Sequence, residues 1–295
     1  MSKKSLFNKG LYISNLSRFK WGSILYFVLL FLSTSFVLLT RPVPLETYEL
    51  ERYARGGGQL FCGGFFVFPV LLAIAVPTVV AILVFRMLAS KKQGLFVYSL
   101  PSTRNANYIS TLLSGFTLMA LPVILNGIIL AIISFSPYGE GYRLMHCAKW
   151  IIYSLAIQFV FFSVAALSAV ITGNSFALVF VNVVLHTFLL IVAVGAYYLS
   201  DLFLYGFTGE EGFFLNAMKA TPAAWAMDLL GNSNVYSCAK WLTIIIFVAA
   251  AVLVYVLTGF LHGKRKIENN ESVAGFEVLN PIFKYAVTLF GTILT

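Results

Sequence analysis

Six stretches of this chain, 21–39, 65–85, 109–135, 150–171, 176–199 and 241–261, contain no Asp, Glu, Lys or Arg in their interior. Each is about the length of helix that crosses a ~30 Å hydrocarbon layer at ~1.5 Å per residue. Such segments force their backbone to bond internally, so the fold class they predict is an all-α polytopic membrane protein with six transmembrane helices. Composition agrees. Hydrophobic residues make up 60% of the 295 and charged residues 11%, where a soluble domain carries roughly 25% charged. That balance excludes a disordered or collagen-like chain and leaves too few polar side chains to cover a soluble globule. The first stretch is not a cleavable signal peptide, because its apolar core is too long and no small-x-small site follows it.

Charge sets the orientation. With the N-terminus inside, the cytoplasmic segments hold 13 basic residues, including Lys3, Lys4, Lys9, Arg18, Lys20, Arg86, Lys264, Arg265 and Lys284, against three acids. The outer segments hold 7 basic residues and 8 acids. By the excess of Lys and Arg on the cytoplasmic side, both termini are predicted there. The net charge of +9 is therefore an orientation signal, and no basic stripe interleaved with aromatics points to nucleic acid. The partner implied by composition is the lipid bilayer.

The chain divides into a cytoplasmic or interfacial segment 1–20, a six-span domain 21–262, and a cytoplasmic linker 263–295. In the linker, Tyr285–Thr295 either lies on the interface or begins a further, truncated span. Segment 1–20 is read as lying along the inner interface, the alternative being a disordered basic tail. The glycines at 56–58 and 63–64 lack a following Lys-Ser/Thr and read as an outer turn, not a phosphate loop. Cys62, Cys147 and Cys238 fall near outer ends of spans and match no metal or redox spacing, so free thiols are expected.

Two connections are anomalous. Between spans 2 and 3, residues 86–104 mix Lys91, Lys92 and Arg104 with Leu95, Phe96, Val97, Tyr98 and Leu100. A solvated loop has no reason to expose those apolar groups. Ser99-Leu100-Pro101 is expected to stop one helix and start another, and the segment reads as a short helix that binds a cytoplasmic partner or lies on headgroups. Before span 6, residues 200–240 are too apolar for a free loop and too interrupted to span, which predicts two short re-entrant helices.

Polar residues inside the spans are few. Asn126 lies near Pro122, a predicted kink, in span 3; Gln158 lies in span 4; Asn182 and His186 share one face of span 5. They line a path or, more in keeping with membrane helices, bond to neighbouring helices. His146, His186 and His262 sit at different depths and cannot share one metal. No catalytic motif, carboxylate pair or ATP-binding loop is present, so no catalytic residue, cofactor or metal is expected and the chain is not predicted to be an enzyme by itself.

Three blocks carry a family resemblance. They are Lys4-Ser-Leu-Phe-Asn-Lys-Gly-Leu11 leading to Ser17-Arg-Phe-Lys-Trp21 and Leu25-Tyr-Phe27; Phe85-Arg86 through Tyr98-Ser-Leu-Pro-Ser-Thr-Arg104; and Arg265-Lys-Ile-Glu268 through Ala274-Gly275 to Asn280-Pro-Ile-Phe-Lys-Tyr285. In this order the chain resembles the membrane-spanning permease subunits of ABC-2 type exporters from Gram-positive, clostridium-like bacteria, with Tyr98 where that group carries His. The resemblance implies a bacterial plasma-membrane protein, a coupling helix between spans 2 and 3 that contacts a cytoplasmic ATP-binding subunit, and a second permease unit. It would place Tyr98, Ser99, Leu100, Pro101 and Arg104 at the ATPase contact with Lys91, Lys92 and Phe96 nearby, and a continuation beyond the present C-terminus. The alternative function is a membrane-anchored sensory or assembly subunit without a translocation path.

Overall fold

A computed structural model describes residues 7–39, 67–99, 102–135, 144–203, 221–230 and 240–265, together with Gly275 and Pro281. The described residues form ten helices: α1 (Lys9–Ser33), α2 (Ser35–Leu39), α3 (Val67–Val84), α4 (Arg86–Ala89), α5 (Lys91–Ser99), α6 (Arg104–Ile133), α7 (Leu144–Ile171), α8 (Ser175–Phe203), α9 (Pro222–Leu230) and α10 (Lys240–Lys264). The chain is an all-α protein with the marks of a membrane bundle. Four helices are long and apolar enough to cross a bilayer: Lys9–Ser33, Arg104–Ile133, Cys147–Ile171 and Trp241–Lys264. Phe68–Val84 and Ser175–Phe188 are shorter apolar helical stretches. Large apolar side chains such as Trp21, Leu25, Leu253 and Val256 lie on the outside of the bundle, where a soluble protein would carry charge.

α7 is the central helix, with Ile157, Phe161, Phe162, Ala165 and Ala166 all buried. α6 runs antiparallel to it at close range. Gly127 packs on Ile151 and Gly115 on the ring of Phe162, leaving no room for a Cβ at either glycine. Small residues at such crossings let backbones approach and gain dispersion contacts in a solvent as apolar as the helices themselves. α10 runs parallel to α7, with Trp241 beside Tyr153 at one end, at 5.8 Å between ring centroids, and the Tyr255 hydroxyl donating to Phe159 O at 2.9 Å farther along.

α1 lies parallel to α6 along a polar seam. Asn8 caps α1 by accepting from the Leu11 amide, and its own side-chain amide donates to Asn107 Oδ1 at 3.2 Å. Farther up, Tyr12 pairs with Thr117 at 3.1 Å and Asn15 donates to Ser114 Oγ at 3.1 Å. Ser23 Oγ donates to Leu118 O at 2.8 Å. That last bond answers a backbone vacancy. Pro122 sits inside continuous α6 and has no N–H for the carbonyl four residues earlier, which is Leu118. Ser23 supplies the missing donor from the next helix, where no water is at hand. α1 ends at the top of the seam. Thr34 Oγ1 turns back onto Leu30 O at 2.6 Å and accepts from Asn126 Nδ2 at 2.7 Å, while Ser35 Oγ donates to Asn126 Oδ1 at 2.8 Å.

The boundary that hydropathy draws at residues 20 and 21 falls inside α1, which is unbroken from Lys9. The seam explains the difference: hydrogen bonds from Asn8, Tyr12 and Asn15 hold this part of α1 against α6. α9 is one short helix in the segment before α10. It is capped by Thr221 Oγ1, which accepts from the Ala224 amide at 3.4 Å. Its Trp225 is fully buried and stacks on Phe247 of α10 at 4.6 Å. A second short helix expected there lies outside the described residues, as do Cys62, Cys238 and nearly all of the linker after Arg265. Cys147 is a buried free thiol.

The Ser23–Leu118 bond gives a prediction. Ser23→Ala should cost about 1 kcal/mol, read as a fall of a few degrees in the apparent Tm of the detergent-solubilised protein. In a Pro122→Ala background, the new amide at 122 takes up Leu118 O and the same substitution should be nearly neutral. Equal losses in both backgrounds would contradict this role for Ser23.

Candidate functional site

Of the described basic residues, Lys9, Arg86, Lys91, Lys92, Arg104, Lys264 and Arg265 lie at one end of the bundle, where α1 and α6 begin and α7 and α10 end; Arg18 and Lys20 lie farther along α1, and Lys149 and Lys240 at the opposite end. Helices that finish together present their unsatisfied carbonyls and negative dipole ends together. Arg265 answers that problem. It is 2% exposed, and its Nη1 donates to Ala169 O, Val170 O and Thr172 O at 2.9, 2.8 and 2.7 Å. Its Nη2 donates to Leu88 O, at the end of α4, at 2.8 Å.

The remaining carbonyls at the end of α7 are also engaged. Ser168 O accepts from the Thr172 amide and hydroxyl at 3.0 and 2.7 Å. Ile171 O accepts from the Gly275 amide at 2.6 Å. Gly275 is packed so closely that a Cβ there would lie 2.9 Å from Ile171 O and 3.0 Å from Val170 O. One guanidinium thus joins the end of α10 to the ends of α7 and α4. Burial pulls Arg265 down to about 10, offset in part by Tyr98, so it stays cationic at neutral pH.

Arg104 does the same for α10. It opens α6 just after Thr103, whose Oγ1 caps that helix through the Ala106 amide at 3.2 Å. Its Nη1 reaches across to Gly263 O at 3.0 Å and Arg265 O at 3.2 Å. The guanidinium also lies 5.6 Å from the centre of the Tyr98 ring, a cation–π distance. The Tyr98 hydroxyl lies 3.2 Å from Nε2 of buried His262 on α10. Burial pushes the Tyr98 phenol up, while Arg265 and Arg104 draw it part of the way back, so it is a neutral hydroxyl at physiological pH. From His262 an aromatic file continues inward through Tyr108 at 5.3 Å, then Phe85 at 6.4 Å and Phe162 at 6.5 Å.

α5 is fastened by this cluster. Gly94 and Val97 are buried beneath it. The opposite face presents Leu95, 62% exposed, and Phe96, 68% exposed, with Lys91 and Lys92 beside them. Ser99 is exposed and its hydroxyl donates to Phe96 O at 2.8 Å, closing the last turn. Leu100 and Pro101 lie outside the described residues. The residues assigned to one contact by sequence therefore take two directions. Lys91, Lys92 and Phe96 face outward, whereas Tyr98 and Arg104 reach across to the end of α10.

The four intramembrane polar residues each engage a different neighbour. Asn126 bonds the α1–α2 junction, as above. Gln158 of α7 donates to the Tyr26 hydroxyl of α1. Asn182 of α8 donates to Thr78 Oγ1 of α3 at 2.8 Å. His186 stacks on Phe161 of α7 at 4.4 Å. Among the described residues, no group of three or more His, Cys, Asp or Glu side chains is placed to hold a metal ion.

From the sequence, Arg265 was an orientation charge and the start of a resemblance block, and His262 a residue near a helix end; neither was expected at the site. The signal for Arg265 was its position immediately after an apolar helix, where a guanidinium meets orphan carbonyls. Asp228 of α9 is buried as well. Compared with known proteins, the chain matches no family model, no curated protein and no solved structure.

Arg265→Ala should destabilise the fold by about 3 kcal/mol or more, because several buried carbonyls lose their donor together. Arg265→Lys keeps a charge but loses the planar fork and should fall between Ala and wild type. Thermal unfolding of the detergent-solubilised variants checks the order; equal stability of Lys and wild type would contradict the geometry.

Proposed function

We propose that the chain is the permease subunit of an ATP-driven exporter of the ABC-2 type, with six spans and both ends in the cytoplasm. In this reading α5 is the helix on which a separate ATP-binding subunit sits. The observation that carries it is the two-sidedness of α5: Leu95 and Phe96 face outward beside Lys91 and Lys92, while Tyr98 and Arg104 tie the other side to the end of α10. A force delivered to the exposed face would reach the ends of α6, α7 and α10 together through Arg104 and Arg265. The three sequence blocks that resemble such permeases support the reading, and so does the convergence of basic residues on the end that carries α5. The contact itself would be made by Lys91, Lys92, Leu95 and Phe96, with Tyr98 and Arg104 as positioning residues. Two such units, alike or different, would enclose the path, and the energy would come from the partner.

The experiment is co-expression with the ATP-binding protein encoded beside this chain, solubilisation in mild detergent, and purification through this subunit. A stable complex is expected, and Phe96→Glu should abolish it without lowering the amount of inserted permease. Arg104→Glu should leave the complex assembled but remove substrate-stimulated ATP hydrolysis. Absence of a complex with the wild-type chain would favour an anchored sensory or assembly subunit, and full stimulation with Arg104→Glu would count against Arg104 as the coupling link.

A further inference from the structure

The exposed face of α1 changes character at Trp21. Before it the face is mostly polar, with Lys9, Ser14, Ser17, Arg18 and Lys20 exposed beside one aliphatic side chain, Ile13. After it the exposed side chains are Ile24, Leu25, Val28 and Leu32. Ser14, Arg18, Trp21, Leu25, Val28 and Leu32 are spaced by three and four residues and so form one stripe along the helix. Trp21 is 71% exposed, and the Lys20 ammonium lies 5.9 Å from the centre of its ring. A tryptophan between cations and aliphatic side chains is the sequence of groups that faces a membrane surface.

The change falls at a different level from that on the neighbouring helices. On α6 the exposed surface passes from Arg104 and Asn105 to Ile109 and Leu113, and on α10 from Lys264 to Phe260 and Leu257. Arg104 bonds the end of α10, so these two changes are level with each other. Asn15 bonds Ser114 and Ser23 bonds Leu118 O, which sets Arg18 and Lys20 level with residues 114–118 of α6. Measured from Ile109 that is roughly 8 to 14 Å farther into the bundle at ~1.5 Å per residue. Two exposed cations thus stand at a height where α6 and α10 present only apolar side chains, and charge is costly in hydrocarbon. The occupant must be anionic, because α1 contains no acid. A second copy placed here by a two-fold axis would set Arg18 and Lys20 against their own images. A water-filled path would not explain the aliphatic half of the stripe. An anionic phospholipid matches both halves, its phosphate at the cations and its chain beyond the ring. We infer that Arg18 and Lys20 bind the headgroup of an anionic phospholipid from the leaflet on the basic side, with an acyl chain along Leu25 and Val28, and that the bilayer surface dips beside α1 to bring it there. This requires the bundle to lie in a bilayer and is independent of whether it transports anything.

The test uses the full chain in vesicles of phosphatidylcholine with phosphatidylglycerol. Spin labels are placed at Ser17→Cys on α1 and at Leu113→Cys, close to the same level on α6, in chains whose native cysteines are replaced by serine. The label at 113 should be relaxed by oxygen and shielded from a water-soluble nickel chelate, as in hydrocarbon, while the label at 17 should respond to the chelate, as among headgroups. Phosphatidylglycerol carrying a photoreactive group near its glycerol should label the wild-type chain around Arg18–Leu25, a reading that needs no substitution. That labelling should fall by about tenfold in Arg18→Gln/Lys20→Gln, and matched photoreactive phosphatidylcholine should label the segment weakly in either chain. The same response at both spin labels would overturn the dip. Equal labelling by the two lipids, labelling only elsewhere, or no loss in the double variant would overturn the headgroup site. Disulfide linkage of two chains through Ser17→Cys would overturn it as well, because a second copy would then cover the stripe.

Discussion

The buried guanidinium of Arg265 is the interaction on which the basic end of this bundle depends. Helices α7 and α10 are parallel and finish at the same end, so their negative dipole ends and unpaired carbonyls are brought together. Water would normally satisfy such groups, but this end is covered by α4, α5 and Gly275. Arg265 donates to three carbonyls at the end of α7 and one at the end of α4, and Arg104 meets the carbonyls that close α10. A lysine could match the charge but not the number of directed donors. The consequence is mechanical: three helix ends and the start of α6 are held by two side chains.

That arrangement gives α5 its character. A short helix joined only by its two ends would move independently of the bundle. Here Val97 and Gly94 are buried beneath it, and Tyr98 reaches His262 while lying under the Arg104 guanidinium. The exposed face, with Leu95 and Phe96, is thus a surface on a braced element. From His262 the packed rings of Tyr108, Phe85 and Phe162 extend the same unit into the core of the bundle.

Much of the helical framework was legible in the sequence, because uncharged runs of membrane length have few alternative structures. The six stretches fall on α1 with α2, α3, α6, α7, α8 and α10. The N-terminal part of α1 was harder to read. Its apolar residues scatter around the helix, yet Asn8, Tyr12, Asn15, Ser23, Tyr26 and Thr34 recur at helical spacing and all face the bundle. The informative stripe is polar, the reverse of the pattern in water, since in a membrane the polar groups are the ones that need a partner.

The candidate site was legible in part. The mixture of Lys91, Lys92, Leu95 and Phe96 marked α5, but not that Tyr98 and Arg104 turn the other way. That depends on where α10 ends, about 160 residues farther along, a long-range contact that local pattern does not encode. Ser23 is similar: a serine in an apolar helix carries no mark of its role until α1 lies opposite Pro122.

α5 and the ends of α6, α7 and α10 thus form one clamped unit. The most direct measurement is the distance distribution between spin labels at Lys92→Cys and Lys264→Cys, both exposed, in a chain whose native cysteines are replaced by serine. A clamped unit gives one narrow distribution that broadens on Arg104→Ala. A broad distribution in the parent chain, or no change on Arg104→Ala, would contradict it.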